Sequence, residues 1–483
     1  MMTLPLLHFR ISRFILVFLA CSLIVLAYLY NLSDIPFFRM DEGWDMQAPL
    51  ELLQRGQLGS PMLENGGDQT HYFHVHPPLF YLVVAGFYGI FGFGIASARL
   101  SAFLFGGLTL IVLCQILKRQ SPQQHLPLSV VFISVATVPL FFVLSKTVRP
   151  DIMLAFFFWS AYYCLVQWRT QQSLVWLALG ALSSGLMMLT HYYGLPIIVL
   201  WGYRLLEKRA WKQLVLFWFI LGFTLLPYAV WVFHSWPAFE AQVLAFRGFG
   251  AFKPLSRLAW MLWVLTSTIK TGQIVVMLFL GVVLSLIRYR STRGMVFSDA
   301  VWLGSGFVFQ FAILPRYNIL YGLLIVPLIP IVYQNLIQAY SRRFIYVVLS
   351  MFIGINSLGL GVYIWKYKDY SYDRYRDQLR SAVMAHYHPG KSILGSTSMY
   401  PIFYDLPYQA FESLYPKELT DEEILQIVDK QQLIVVDDWV PYHYLRPSVM
   451  DYIIKKRQCV HEFLSPDYGS EGLHRNNVIR VYE

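Results

Sequence analysis

Two neighbouring acidic residues stand at the start of a long polar segment, shortly after the first apolar stretch of the chain. Asp41 and Glu42 carry carboxylates that could take a proton from a hydroxyl group if burial or a partner tunes them. An acid pair in a solvated loop needs no function, so the pair alone also fits an ordinary polar loop. Its interpretation as a catalytic base depends on what the other loops contain.

The same polar segment ends in a histidine-rich sequence and two prolines. His71, His74 and His76 follow one another at spacings of three and two positions, which leaves a divalent metal site open as one alternative. We favour the other alternative, a histidine-rich loop without metal. Because Pro77 and Pro78 force an extended chain and then start a helix, they would hold His76 rigidly, as contact with a phosphate requires.

Further polar residues stand at the ends of apolar stretches that are themselves nearly free of charge. An arginine offers a fork of donors that matches phosphate oxygens, and a lysine offers a point charge. An Arg–Asp pair at the membrane interface, or a histidine there, is the simpler alternative. The residues in question are Lys146, Arg149, Asp151, His191, Arg316 and Tyr317.

The composition of the chain explains why such charges stand out. Of its 483 residues 57% are hydrophobic and only 14% are charged, whereas soluble domains carry about 25% charged residues. Long stretches have no polar face, which excludes a soluble enzyme, a disordered chain and a coiled coil. An outer-membrane barrel is excluded as well, because its strands are short and alternate. The sequence therefore predicts a polytopic α-helical membrane protein.

Eleven apolar stretches are long enough to cross a bilayer, which takes about 17–25 residues. The segment 79–93 is shorter and contains three glycines, so we predict an interfacial helix there, in a long outer loop at 31–97. The predicted spans are 14–30, 98–117, 127–145, 151–168, 173–189, 191–206, 214–233, 272–287, 298–314, 319–336 and 344–365.

The distribution of basic residues predicts the orientation of these spans. With 79–93 left out, 14 of the 24 basic residues in the first 365 positions fall in the short segments on one side. By the positive-inside rule that side is the cytoplasm. The N-terminus is then cytoplasmic and the C-terminal region lies outside the plasma membrane, which we take to be a bacterial inner membrane. Topology thus explains the net charge of +10, and no nucleic-acid partner is needed.

The composition changes after residue 365. Short apolar runs of β type at 392–395, 433–436 and 478–482 alternate with helical patterns, and Thr420 with Glu423 forms a capping-box pattern before a helix. We therefore predict two domains, a membrane domain at 1–365 and a small soluble extracytoplasmic α/β domain at 366–483.

In chain order, four short motifs resemble the GT-C superfamily of polyprenyl-phosphate-dependent glycosyltransferases. Within that superfamily the pattern is similar to the protein O-mannosyltransferases and the lipid A aminoarabinose transferases. The resemblance implies an inverting transfer of a sugar from a polyprenyl-phosphate-linked donor to a hydroxyl acceptor, which is a lipid, a glycan or a protein, outside the cytoplasm. The motifs are Asp41-Glu42, His76-Pro77-Pro78-Leu79, Arg149-Pro150-Asp151 and Arg316-Tyr317.

The resemblance also implies roles for these residues. Asp41 would be the general base, Glu42 would orient it, and Asp151 would position Arg149 or the acceptor. His76 stands where the family usually has a lysine, and the segment from His191 replaces a Lys-Gly-Pro sequence. A metal ion used by some relatives is not implied for this chain. The phosphate would be bound by His76, Lys146, Arg149, His191, Arg316 and Tyr317.

Two other classes of membrane protein compete with this interpretation. A transporter or flippase of a lipid-linked or anionic substrate would show paired repeats and ionisable groups near the middle of the bilayer. No repeat is evident in the sequence, and the unusual charges lie at the predicted outer ends of spans. A structural scaffold would leave these outer cations without an explanation.

Overall fold

The structure is a computed structural model, and it shows a bundle of apolar helices followed by a small β-sheet. It describes residues 18–36, 40–64, 68–120, 126–245, 272–287, 299–306, 323–337, 339–368, 371–414, 419–437, 446–465 and 477–483.

The helices of the first 366 residues follow the predicted apolar stretches closely. A helix covers 299–306 within the predicted span 298–314, of which the rest lies outside the described residues. The helices are α1 (Phe18–Leu29), α2 (Met40–Arg55), α3 (Leu79–Phe91), α4 (Ile95–Gln120), α5 (Leu128–Ala136), α6 (Pro139–Leu144), α7 (Asp151–Gln171), α8 (Leu174–Met188), α9 (Leu195–Glu207), α10 (Trp211–His234), α11 (Trp236–Phe239), α12 (Gly272–Ile287), α13 (299–306), α14 (Leu328–Leu336) and α15 (Arg342–Lys366).

Three described helices, α4, α10 and α15, are long and apolar enough to cross a membrane on their own. With 26 residues, α4 is about 39 Å long. Exposed large apolar side chains are concentrated on α10 and α15, where they include Phe219, Phe223, Leu358 and Val362. Apolar faces of this size are typical of contact with lipid. The chain is therefore a polytopic membrane protein, and the number of eleven spans stays a prediction.

The predicted span 127–145 is divided into two short helices. Pro139 has no backbone N–H group, and its ring pushes Val138 into an extended conformation with φ −64° and ψ 120°. Helix α5 therefore ends at Ala136, and α6 begins with Pro139 in its first turn. The second helix ends at Leu144, so the polar residues that follow emerge at the end of the bundle.

The predicted helix at 79–93 is present as α3, which has 13 residues and is about 20 Å long. That length falls short of the hydrocarbon thickness of about 30 Å. One face of α3 is buried and includes Phe80, Tyr81, Val84 and Tyr88. This face packs against α2, so the long loop contributes two helices to one end of the bundle.

A buried ion cluster holds the other end of the bundle together, where α4 and α7 finish. Asp299 is fully buried and accepts hydrogen bonds from Arg169, from Arg204 and from the Tyr162 hydroxyl group. Gln120, the last residue of α4, donates to the Tyr162 oxygen at 3.1 Å. These contacts join four segments of the chain, α4, α7, α9 and α13.

The C-terminal region forms a five-stranded mixed sheet with the strand order β2-β1-β3-β5-β4. Strand β1 is parallel to β2 and β3, whereas β5 is antiparallel to β3 and β4. The strands are β1 (Ile393–Gly395), β2 (Tyr408–Ala410), β3 (Leu433–Asp437), β4 (Cys459–Ser465) and β5 (Asn477–Tyr482), and the helices are α16 (Tyr372–Met384), α17 (Tyr400–Phe403), α18 (Asp421–Lys430) and α19 (Pro447–Lys456).

The two faces of this sheet belong to two different hydrophobic clusters, because alternate residues of a strand point to opposite faces. Ile434 and Val436 pack with Ile424 of α18 and Ile453 of α19. Val435, on the opposite face, belongs to the cluster that continues into the membrane helices. The sheet therefore shares its core with the helical bundle on one face.

The predicted orientation can be tested with the cysteines of the chain. Cys459 is exposed, whereas Cys164 is buried and Cys21 and Cys114 are partly buried. A membrane-impermeant maleimide added to sealed spheroplasts is expected to label the wild-type protein, and Cys459→Ser should remove that label. The double variant Cys459→Ser/Lys208→Cys should be labelled only after the spheroplasts have been permeabilised. Labelling in the reverse order would show that the predicted orientation is wrong.

Candidate active site

A buried ion pair fixes the first turn of α2. Glu42 and Arg99 are both fully buried, and the guanidinium Nε and Nη2 donate to the two carboxylate oxygens at 2.9 and 2.7 Å. The remaining Nη1 donates to the carbonyl oxygens of Leu32 and Ser33 at 2.9 and 3.0 Å. This fork geometry is the strong form of an Arg–carboxylate contact, and it joins α2, α4 and the segment after α1.

Glu42 also contacts the segment between α6 and α7. Its Oε2 atom accepts a hydrogen bond of 2.9 Å from the backbone N–H group of Val148. Val148 lies between Lys146 and Arg149, so one carboxylate connects the acidic helix start with the predicted phosphate-binding residues. The sequence could not show this contact because its donor is a backbone group.

Lys146 is fully buried beside the ion pair. Its Nζ atom donates to the carbonyl oxygen of Tyr30 at 2.7 Å and lies 5.0 Å from the centre of the Phe142 ring. The pKa of Lys146 is lowered to about 7, mainly by burial and also by the nearby Arg99, whereas Asp34 acts to raise it. Its charge can therefore change near neutral pH.

Arg149 and Asp151 form an ion pair at the start of α7. The Nε atom of Arg149 donates to Oδ2 of Asp151 at 2.9 Å, and both side chains are nearly buried. Asp151 lies in the first turn of α7, where its charge is also stabilised by the helix dipole. The other carboxylate oxygen, Oδ1, is buried and has no protein hydrogen-bond partner among the described residues. The interfacial pair is thus present, and it leaves one acceptor atom unused.

His76 and His191 lie next to each other although 115 positions separate them in the chain. Their ring centres are 4.8 Å apart, and the His76 ring lies 6.5 Å from that of Tyr81. The backbone N–H group of Leu79 donates to the carbonyl oxygen of Leu189 at 2.9 Å, which brings the two loops together. The Tyr81 hydroxyl group donates to Asp45 at 3.0 Å. A chain of contacts thus runs from α2 to both histidines.

The three histidines of the long loop point to different partners. His71 pairs with Asp68 at the surface, and His74 is buried against Ser235 with its ring beside Trp231. Burial lowers the pKa of His74 to about 4. Within the described residues no group of three or more histidine, cysteine or acidic side chains is arranged to hold a metal ion.

Three predicted site residues cannot be placed in this geometry. The backbone of Asp41 belongs to the first turn of α2, while its side chain lies outside the described part of the structure. Arg316 and Tyr317 lie outside the described residues altogether.

The structure adds residues that the sequence prediction overlooked. Arg99 is a single charge near the beginning of an apolar stretch, and such a charge is costly unless it is paired. That cost is a signal that could have pointed to a carboxylate in the preceding loop. Asp45 and Tyr81 gave a weaker signal, because a buried acid and a buried tyrosine are each recognisable only from the packing around them.

Comparisons with known proteins bear on the family resemblance and on the fold. Residues 75–236 match the family model described as dolichyl-phosphate-mannose-protein mannosyltransferase, which is about a third of the chain. A search of curated protein sequences found no match.

Several solved structures have a similar fold. ArnT from Cupriavidus metallidurans in the apo state is 13% identical, with a TM-score of 0.65, and the match covers 97% of this chain and 98% of that chain. The same protein bound to undecaprenyl phosphate is 12% identical, with a TM-score of 0.61 and coverages of 96% and 97%. The oligosaccharyltransferase from Archaeoglobus fulgidus in complex with Zn and sulfate is 11% identical, with a TM-score of 0.60 and coverages of 88% and 68%. At these identities the likeness concerns the fold.

The buried ion pair leads to a stability prediction. Removing one partner of a buried pair leaves an uncompensated charge, so Arg99→Ala and Glu42→Ala are each expected to destabilise the protein by about 3–5 kcal/mol. The double variant should lose less than the sum of the two. Thermal unfolding in detergent would measure this. The matched control is Arg376→Ala, because Arg376 makes exposed pairs with Asp373 and Asp377, and each such pair contributes about 0–1 kcal/mol. Equal effects of Arg99→Ala and Arg376→Ala would contradict the assignment.

Proposed function

We propose, from the premise that this chain has the fold of the GT-C superfamily of glycosyltransferases, that it transfers a sugar from a polyprenyl-phosphate-linked donor to a hydroxyl acceptor. One observation carries the proposal, namely that α2 bonds to both groups of predicted phosphate ligands. Glu42 in its first turn accepts from Val148, which lies between Lys146 and Arg149. Asp45 accepts from Tyr81, whose ring lies beside that of His76. The Glu42 carboxylate and the side chains to which we assign phosphate binding, Lys146, Arg149 and His76, thereby lie at one end of the bundle. The ArnT structure bound to undecaprenyl phosphate supports a lipid-linked donor.

The reaction is a single inverting displacement. The acceptor oxygen attacks the anomeric carbon and forms the new glycosidic bond, while the bond from that carbon to the phosphate oxygen breaks. The acceptor proton passes to the Asp41 carboxylate, and polyprenyl phosphate leaves with the electron pair. One base is sufficient, and no covalent intermediate on the protein is needed. Retaining glycoside hydrolases differ, because a second carboxylate acts there as a nucleophile and forms such an intermediate.

The leaving phosphate gains a negative charge as the bond breaks, and this charge is the main object of stabilisation. Arg149 donates to Asp151 through Nε, which holds its guanidinium in one orientation. Lys146, His76 and His191 supply further donors at this end of the molecule, and Arg316 and Tyr317 keep the phosphate-binding role proposed from the resemblance. Glu42 is a positioning residue, because it bonds Arg99 and the backbone of Val148.

The same proposal assigns the site to the outer face of a bacterial inner membrane. The membrane domain at 1–365 would hold the site, and the region 366–483 would lie outside beside it. Which sugar is moved, and whether the acceptor is a lipid, a glycan or a protein, would follow from comparing cell-envelope glycolipids and glycans by mass spectrometry with and without the gene. A single missing sugar is expected. Unchanged glycans together with altered export of a lipid-linked substrate would favour a transporter or flippase instead.

The role of Asp41 is tested by Asp41→Asn, which keeps the shape of the side chain and removes its basicity. Purified protein with a polyprenyl-phosphate sugar donor is expected to lose transfer by about 10²–10⁴-fold, the usual contribution of a general base. Donor binding should stay unchanged. The matched control is Asp68→Asn in the same loop, where the acid is exposed and pairs with His71. If Asp41→Asn turned over at the wild-type rate, another base would have to be found.

The role of Lys146 predicts a dependence on pH. Its pKa is lowered to about 7, so its positive charge is present below that pH and is lost above it. Donor affinity is therefore expected to fall by up to about tenfold per pH unit between pH 7 and 9, where ordinary histidines are already neutral. The donor is a phosphodiester and keeps one charge throughout. Lys146→Met should bind weakly at every pH, with no slope. A wild-type affinity independent of pH would remove Lys146 from the phosphate site.

A further inference from the structure

The C-terminal region touches the first turn of α2 through backbone atoms. Gly43 follows Asp41 by two positions and faces Thr397. A β-carbon at residue 43 would overlap the carbonyl oxygen of Thr397 and would lie 2.7 Å from its carbonyl carbon. Because both obstacles are backbone atoms, no side-chain rotation could make room for a methyl group. Glycine is required here by the closeness of the two chains.

Thr397 is held from its other side by a buried carboxylate. Its backbone N–H group donates to both oxygens of Glu412, at 3.2 and 3.1 Å, and its hydroxyl group donates to Oε1 at 2.9 Å. Thr397 is fully buried and Glu412 is nearly so. Charge-assisted bonds of this kind are the stronger ones, so the segment that meets Gly43 is fixed within its own domain.

The position of Thr397 in the sheet is also informative. Strand β1 ends at Gly395, and Thr397 follows it, while Glu412 follows the end of the neighbouring parallel strand β2. In open α/β sheets the carboxyl ends of parallel strands, on either side of a central first strand, are the usual place for functional residues. In this protein that edge is packed on α2.

A second contact holds the two parts of the chain in the same relation. The backbone N–H group of Tyr372, in the first turn of α16, donates to the carboxylate of Asp34 at 2.9 Å. The Asp34 carboxylate thus lies at the N-terminus of α16, where a negative charge is favourable. Two separate points on the segment 34–43 are therefore tied to the C-terminal region.

We propose that Thr397, braced by Glu412, is a positioning residue for sugar transfer. It sets the place of the first turn of α2 through Gly43, and so the place of Asp41. The inference rests on the proposed function, because it takes Asp41 to be the base. The C-terminal region then contributes to the transfer site by positioning its base.

The first experiment compares two glycine variants. Gly43→Ala should displace the helix start and lower kcat by about 10²-fold, the effect expected of a misplacement of about 1 Å. Donor affinity should fall much less than kcat, because Lys146 and Arg149 are linked to the first turn of α2 only indirectly, through the bond from Val148 to Glu42. The matched control is Gly86→Ala in α3, where an added β-carbon would meet nothing within 4 Å. Wild-type kcat in Gly43→Ala would overturn the proposal.

The second experiment acts on the brace and remains informative if Gly43→Ala fails to fold. Glu412→Ala removes all three bonds to Thr397, whereas Thr397→Ser keeps the hydroxyl group and should behave as wild type. We expect Glu412→Ala to lower kcat much more than donor affinity and to speed hydrogen exchange in residues 40–45. In the double variant, the segment of Thr397 is no longer held by Glu412 and can move away from the methyl group added at residue 43. The loss of kcat in the double variant should therefore be smaller than the product of the two single losses.

The hydrogen-exchange measurement tests the positioning role of Thr397 separately from the proposed sugar transfer. It needs no turnover, so it tests the contact even if the wild-type protein transfers no sugar from any polyprenyl-phosphate donor, which would refute the proposed function. Unchanged exchange in residues 40–45 of Glu412→Ala would refute the positioning role. Multiplicative losses in the double variant would refute it as well.

Discussion

The fork between Glu42 and Arg99 is the interaction on which this end of the molecule depends. Both charges are fully buried, and burying a charge is costly unless it is paired and hydrogen-bonded. The pair meets that condition because Arg99 also bonds two carbonyl groups and Glu42 also bonds the N–H group of Val148. A shift of α2 would break several of these bonds at once. The ion pair is therefore a geometric constraint on three segments of the chain.

Helix α2 links the Glu42–Arg99 pair to the rest of the site through further contacts. Its next buried acid, Asp45, is one turn after Glu42 and accepts from Tyr81, which orders the start of α3 and the loop of His76. Between the two acids, Gly43 admits the backbone of Thr397. One short helix thus sets the relative positions of the phosphate-binding side chains, the histidine loops and the C-terminal sheet.

The sequence allowed much of this architecture to be predicted, because apolar length and strand alternation are local signals. The helices of the bundle lie where apolar stretches were found, and β1, β3 and β5 coincide with the predicted β-type runs. The helix after Thr420 has the capping box that its sequence indicated. Strands β2 and β4 were missed because polar residues interrupt their apolar runs, Gln409 in β2 and His461 with Glu462 in β4. The break before Pro139 was missed because the apolar pattern runs through it.

The site was predicted less completely, for a physical reason. Residue type identifies a cation or an acid, but it does not identify its partner when that partner is a backbone group or lies far away in the chain. The bonds of Glu42 to Val148 and of Glu412 to Thr397 both use backbone donors. The pairing of Arg99 with Glu42 spans 57 positions. A sequence could therefore suggest Lys146 and Arg149 as phosphate ligands without showing which carboxylates restrain them.

The charge balance of the described residues at this end of the bundle bears on how a phosphate could enter. Around the Glu42–Arg99 pair and the segment 146–151 there are three acids and three bases, and two of the bases are already paired with carboxylates. With Lys146 neutral these residues carry one net negative charge, and an anion brought into such a poorly solvated cluster is unfavourable unless a proton is added with it. Lys146, with a pKa lowered to about 7, can take up that proton. Donor binding and protonation should then be linked, since each makes the other more favourable. The residues are Asp34, Glu42, Arg99, Lys146, Arg149 and Asp151.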